Sequence, residues 1–281
     1  MSYLVKDNLP SSLSHWKSVE RSCVRDELLE DGSGKTVFAH GFVEWPEYSP
    51  EDNDRFSRLL DRQKPFWEKW ACEDHRVGYR SLFANKGIPP IAELEKAVWD
   101  SSRFKLVGVN GLLAAPSFFE LLAHRMFPVT WWMRSEHEMD YIVEPDLFHD
   151  VAGHLPMLCQ PAIADFMHTF GLAGLQLLGN EEAIKRLGSL YWFTFEFGLV
   201  SENEVPRIWG GGILSSVKEM SWSIEEPSVE RCLTDSAAEI MAQSYRIDEL
   251  QKKYFVLPSF DSLSWKVEDL VRWASQTEDK C

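Results

Sequence analysis

Residues 190–200 read Leu-Tyr-Trp-Phe-Thr-Phe-Glu-Phe-Gly-Leu-Val, a nearly unbroken apolar run with one carboxylate, Glu196, inside it. A segment this apolar has to be buried, and burying an ionised carboxylate without a partner costs several kcal/mol. Glu196 must therefore be exposed, paired with a base or bound to a cation. At helical spacing Trp192 and Glu196 share one face. The whole chain is rich in such rings, with 12 Trp and 17 Phe. That abundance fits either an aromatic core or a pocket that recognises a flat ring.

A second stretch offers the carboxylate its partners. It runs Glu144-Pro145-Asp146-Leu147-Phe148-His149-Asp150-Val151-Ala152-Gly153-His154-Leu155-Pro156. Asp146, just after a proline, is a natural N-cap for a helical turn carrying His149. Pro156 would collide with the carbonyl of Ala152, so the turn is expected to end near Gly153. Histidines five apart lie about 140° from each other on a regular helix, at 100° per residue. They are not the H-E-x-x-H pair of zinc proteases, and a break at Gly153 would let them converge. His149, His154 and Glu196 together make two imidazoles and one carboxylate. That set, with coordination positions left open, serves non-haem Fe(II) oxygenases. Zinc hydrolases use the same ligand types, so the donors alone do not choose the metal.

The 281 residues contain 44 acids and 29 bases, a net charge of −15, which argues against a nucleic-acid or anionic-membrane partner. No apolar run reaches the ~18 residues of a membrane span, and the first residues do not resemble a signal peptide. Five scattered cysteines without a C-x-x-C pair fit reduced thiols in a cytoplasm. No repeat or low-complexity linker divides the chain. Residues 1–34, polar and broken by Pro10, Gly32 and Gly34, read as an irregular arm, and 35–281 as one domain.

Within that domain a strand is expected at Thr36–Glu44. Ser49-Pro50-Glu51-Asp52 is a capping box with proline at the first helical position. Further helices are expected at Ile91–Trp99, Ser117–Phe127, Ala162–Leu178, Asn180–Gly198, 235–248 and 262–274, with short strands at Phe104–Val109 and Val129–Met133. The fold class is mainly α with a few short β-strands.

These residues resemble the tetrahydropterin-dependent aromatic amino-acid hydroxylases, and among them the bacterial phenylalanine 4-hydroxylases. The resemblance runs from about Gly41 to about Trp273. It is densest at Gly111–Phe127, Arg134–Pro156, Leu190–Leu199 and Gly210–Glu219. It implies a catalytic domain of many helices around a basket-like iron site, without the regulatory domain and tetramer-forming helix of animal members, hence a monomer.

By matching position, the resemblance makes His149, His154 and Glu196 the iron ligands. Arg134 would grip the substrate carboxylate and Asp146 would hold Arg134; a planar guanidinium suits both tasks. Pro145, Trp192 and Phe197 would wall the ring pocket. Tyr141, Gly212, Ser215 and Glu219 would complete the substrate side. Phe118 would stack on the pterin, Gly111 and Leu113 would meet its edge, and Asp150 and Tyr191 would lie close by.

Some positions depart from the family pattern. Ile142 and Val143 stand where animal enzymes carry Thr-Pro, Asp150 where many members carry Glu, and Pro128 where animal enzymes place a His near the pterin. Trp192 stands where tryptophan hydroxylases carry Phe, which favours phenylalanine as substrate. The implied activity is hydroxylation of L-phenylalanine to L-tyrosine with Fe(II), O2 and a tetrahydropterin. The same chemistry on L-tryptophan, or at the meta position of phenylalanine, is the alternative.

Overall fold

The structure, a computed structural model, describes residues 24–30, 36–43, 45–140, 142 and 144–276. The chain opens with strands β1 (Val24–Glu30) and β2 (Thr36–Val43), paired antiparallel with an irregularity between Arg25 and Glu27. Residues 24–30, expected to be irregular, are thus a strand, while the rest of the expected arm, residues 1–23 and 31–34, lies outside the described residues. A polar sequence forms a strand once a neighbour supplies the ladder, because strand preference is largely set by context.

Helix α1 (Pro50–Trp70) starts as its sequence requires. The Ser49 side chain accepts from the Asp52 amide, the Asp52 carboxylate accepts from the Ser49 amide, and Pro50 opens the first turn. Phe56, Leu59, Leu60, Trp67 and Trp70 form its buried face. Helices α2 (Glu73–Leu82) and α3 (Ile91–Ser102) lead into β3 (Lys105–Val109). Then α4 (Ala115–Ala123) crosses over to β4 (Met126–Thr130), which lies parallel to β3. The helix expected through Phe127 thus stops four residues early, and the strand expected at Val129–Met133 begins at Met126. Arg125 takes a left-handed φ of 53°, a conformation no helix continues through. The first sheet has the order β1-β2-β3-β4.

The next elements carry the two motifs. Residues His149–His154 form a π-helical turn that runs directly into α5 (Leu155–Leu158), so the turn does not end at Gly153. Pro156 falls in the first turn of α5 and has no N–H to offer the Ala152 carbonyl four residues earlier. Helices α6 (Pro161–Gln176) and α7 (Glu181–Tyr191) follow, the latter capped by Asn180, whose side chain accepts from the Ala183 amide. Instead of one helix to Gly198, α7 gives way to a second π turn over Trp192–Glu196.

A tight hairpin of β5 (Leu199–Glu202) and β6 (Val205–Ile208) turns on Asn203 and Glu204, both at positive φ, as a two-residue hairpin loop demands. The remaining elements are α8 (Gly211–Leu214), α9 (Val217–Glu225), β7 (Glu230–Leu233), α10 (Ala237–Ala242), β8 (Lys253–Leu257) and α11 (Val267–Ser275). The second sheet has the order β6-β5-β8-β7. One buried apolar cluster extends from Phe56 to Ala274 and encloses both π turns. No helix among the described residues is long and apolar enough to cross a membrane.

Loss of the α1 capping box should be measurable. Ser49→Ala is expected to cost about 1 kcal/mol and to lower Tm by roughly 2–4 °C in a chain of this size, read by calorimetry. An unchanged Tm would show that the box carries no net stability.

Candidate metal centre

Asp146 organises the approach to the site. Its side chain is fully buried and accepts four hydrogen bonds. Oδ2 takes the Arg134 amide at 3.0 Å and Arg134 Nε at 2.8 Å, and Oδ1 takes Arg134 Nη2 at 2.8 Å and the His149 amide at 3.0 Å. Burial opposes ionisation, but the Arg134 charge and the hydrogen bonds from Arg134 and the His149 amide together outweigh it and hold the Asp146 carboxyl below the usual range. The same carboxylate thus fixes a buried guanidinium and starts the turn that bears His149. Asp146 takes the Nε hydrogen and one of the two Nη2 hydrogens of Arg134, which leaves the second Nη2 hydrogen and both on Nη1 beyond this pair.

The π turns then bring the donors together. An i→i+5 ladder stacks residues five apart, so His149 and His154 face the same way without a break between them. Their Nε2 atoms lie 3.1 Å apart. His149 Nε2 is 3.6 Å from Glu196 Oε2, and His154 Nε2 is 3.4 Å from Glu196 Oε1. Imidazole ligands sit about 2.0–2.1 Å from a first-row metal, so donors at right angles stand about 3 Å apart. The two nitrogens thus stand at such a spacing, each faces a different oxygen of Glu196 at 3.4–3.6 Å, and one donor atom from each residue falls within 4.8 Å of the others.

The chemistry of the donor set also fits a cation. Two ring nitrogens 3.1 Å apart cannot both carry hydrogens pointing at each other. Glu196 Oε1 is buried with no hydrogen-bond partner, although burial alone would make that costly. The two histidines overcome the burial penalty and hold the Glu196 carboxyl well below the carboxylate range. Ser215 Oγ lies 2.9 Å from His149 Nδ1. A hydrogen bond there keeps the proton on Nδ1 and leaves the Nε2 lone pair facing inward. The end of α8 that carries Ser215 is held in turn by α1, whose Gln63 and Trp67 side chains donate to the carbonyls of Ser215 and Leu214.

Trp192 stacks on Phe197 with ring centroids 4.4 Å apart, and Pro145 is buried beside Asp146. Gly212 packs against the Phe197 ring, where an added Cβ would come within 2.9 Å of it. Glu219 is buried and accepts from the Tyr254 hydroxyl, and burial raises its carboxyl pKa. Asp150 is buried, takes the Thr130 amide on Oδ2 at 2.6 Å, and is likewise pushed up by burial. Phe118 meets Tyr191 edge-on at 5.5 Å. Tyr191 lies 5.7 Å from Phe195, which stacks on His154 at 4.4 Å. A chain of rings thus connects Phe118 to the His154 imidazole. Leu113 is buried, Gly111 takes a φ of +117°, and Tyr141 lies outside the described residues.

Two supports escape a reading by residue type. An added Cβ on Gly211 would come within 2.4 Å of the His154 ring, and one on Gly210 within 2.3 Å of the Glu196 carbonyl. The glycine run was visible in the sequence, but its partners were not. His75, fully buried, is the second support. Its Nε2 lies 3.3 Å from the carbonyl of Ala152, four residues before Pro156. Burial depresses its pKa to about 3, so the ring is neutral and Nε2–H can donate to that carbonyl.

Residues 38–279 match the family described as biopterin-dependent aromatic amino acid hydroxylase. The chain belongs to this family. It is 37% identical over 243 residues to the phenylalanine-4-hydroxylase of Ralstonia nicotianae, covering 85% of this chain and 77% of that protein. Against the Chromobacterium violaceum phenylalanine-4-hydroxylase it is 40% identical over 219 residues, 77% of this chain and 72% of the relative. A crystal structure of the C. violaceum enzyme, with bound iron(III) and the oxidised cofactor 7,8-dihydrobiopterin, superposes with a TM-score of 0.76 at 38% identity. That match covers 79% of this chain and 82% of the other. The mainly helical fold expected from the sequence is thus the fold of this hydroxylase family.

Two outcomes follow for the centre. Glu196→Gln replaces an anionic donor by a neutral amide and should weaken Fe(II) binding at least about tenfold, measured by metal titration; unchanged affinity would remove Glu196 from the site. Asp146→Asn leaves the buried Arg134 charge uncompensated and should cost about 3–5 kcal/mol at pH 7. Because the folded pKa of Asp146 is lowered, its stabilisation is complete above the unfolded value of about 3.9. It is lost as pH falls through the lower folded value. The stability gap between wild type and variant should therefore be smaller at pH 3 than at pH 7, read from denaturation curves at the two pH values, and a constant gap would contradict this linkage.

Proposed function

We propose that this enzyme hydroxylates L-phenylalanine to L-tyrosine, using Fe(II), O2 and a tetrahydropterin. The single observation that carries the reading is the convergence of half-buried His149 with buried His154 and Glu196 within 4.8 Å, beside an aromatic core, in a chain of the pterin-dependent hydroxylase family. The phenylalanine-4-hydroxylase relatives support phenylalanine as the substrate.

Iron and pterin, when bound, supply oxygen activation, and the protein supplies position and a dry site. Arg134, clamped by Asp146, binds the amino-acid carboxylate. Trp192 and Phe197 shape the ring pocket, and Gly212 leaves room for the Phe197 ring. Ser215 holds the Nδ1 proton of His149, and Glu219 supports the substrate side through Tyr254 and residue 251. Phe118, Tyr191, Asp150, Gly111 and Leu113 border the pterin. We further place the enzyme in the cytoplasm, acting on a small molecule as a monomer with no nucleic-acid partner. The free thiols of Cys72, Cys159 and Cys232 and the net charge of −15 support that placement. Residues from 35 onward are read as one catalytic domain.

The test is chromatographic identification of the product from phenylalanine, tyrosine and tryptophan with Fe(II) and reduced pterin. Tyrosine from phenylalanine is expected; meta-tyrosine, or a preference for tryptophan, would overturn the proposal. Arg134→Lys keeps the charge and loses the planar fork, so KM for phenylalanine should rise about tenfold or more with iron content unchanged. An unchanged KM would place the carboxylate elsewhere.

A further inference from the structure

Between α10 and β8 the chain runs through the segment Gln243–Leu250, which has no regular structure. Its ion pairs, Arg246 with Asp248 and Glu249, and Glu249 with Lys252, stay inside the segment and its own border. Ile247 is 52% exposed. A cavity of about 260 Å³, lined by Phe193, Tyr245, Arg246 and Gln251 among others, lies against it.

Two side chains tie it to the site. The Tyr245 ring stacks on the indole of Trp192 with centroids 4.5 Å apart and planes 12° from parallel. Gln251, only 6% exposed, does the rest. Its Oε1 accepts the indole N–H of Trp192 at 3.2 Å, while Nε2 donates to the carbonyls of Arg246 at 2.7 Å and Glu249 at 3.0 Å. Its backbone is held too: the carbonyl accepts from Trp222 Nε1 at 2.7 Å, and the amide donates to Glu219 Oε1 at 3.4 Å. One side-chain amide thus sets the in-plane orientation of the Trp192 indole and the position of the segment whose Tyr245 covers it.

We infer that Gln251 is a positioning residue for substrate selectivity, acting on the aromatic pocket through the indole N–H of Trp192. This rests on the phenylalanine reading above. Indole N–H groups need a partner when buried. Stacking on Phe197 and Tyr245 fixes the tilt of the Trp192 ring but leaves it free to slide and turn within its plane. The hydrogen bond to Oε1 removes that freedom, and a pocket wall held in one place discriminates between phenyl and indole substrates more sharply than one that moves.

The experiment is a double-mutant cycle on the ratio of kcat/KM for phenylalanine to that for tryptophan, with bound iron measured in each variant. Gln251→Met keeps length and removes both polar ends. The ratio should fall about five- to tenfold, mainly through a higher KM for phenylalanine, while iron content is unchanged. In a Trp192→Phe background, which has no indole N–H, the same change should leave the ratio within about twofold. An unchanged ratio in Gln251→Met, or an equal fall in both backgrounds, overturns the inference. Should Gln251→Met not fold, Gln251→Asn keeps an amide but shortens its reach by one methylene, which draws the acceptor away from the indole N–H. Its ratio is expected to fall in the wild-type background and to stay within about twofold in the Trp192→Phe background, and an unchanged ratio in the wild-type background overturns the inference. Failure of the phenylalanine reading is distinct, because wild type itself would then show no preference for phenylalanine.

Discussion

The carboxylate of Asp146 is the point on which the site hangs. An isolated buried carboxylate is strongly unfavourable, yet this one is stabilised by four donors from two directions. A buried bidentate pair contributes little to stability relative to an apolar substitute, but losing either partner is severe. Its value here is geometric. Arg134 and the first turn of the His149 segment cannot move independently, because one carboxylate binds both. The end of β4 is pinned to the same segment by the Thr130 amide on Asp150 and by the Leu147 amide on the Trp132 carbonyl.

The second constraint is helical winding. On an ordinary α-helix the two histidines would diverge, and a carboxylate inside an apolar helix would meet only apolar neighbours. Both motifs are instead wound as π turns, and the wider ladder turns the donors inward. Such turns are rare, so neighbours have to hold them. Gly210 and Gly211 allow α8 to lie directly on the Glu196 carbonyl and the His154 ring. His75 Nε2 lies beside the Ala152 carbonyl, in the stretch that Pro156 deprives of an amide donor. Ser215 orients His149, and α1 orients Ser215. The apolar core supplies the rigid surroundings in which these small choices matter.

Aromatic residues divide between two tasks. Phe195, Tyr191 and Phe118 form a continuous series of ring contacts from His154 outward. Phe197 and Tyr245 stack on Trp192, at the start of the π turn that ends in Glu196. Composition alone left open whether the abundant rings meant core or pocket. In this fold the same rings pack the core and border the site, since Phe118, Tyr191 and Trp192 are all nearly fully buried.

What the sequence by itself determined is chemical and local. The lone Glu196 in an apolar run, the two histidines, the Arg and Asp types and the Ser49 capping box are legible because they depend on residue type and short spacing. The start of α1 and the cap at Asn180 form as their residues require. Tertiary structure alone decided how the donors meet. The sequence suggested a break at Gly153 and one straight helix through Glu196, because local propensity favours α winding and treats Pro156 as a stop. Contacts distant in sequence override that preference: His75 on Ala152, Gly211 on His154, Ser215 on His149 and Gln251 on Trp192. The strand at Val24–Glu30 was hidden for the same reason. A ladder of hydrogen bonds belongs to two segments at once, and no single stretch of residues reveals its partner.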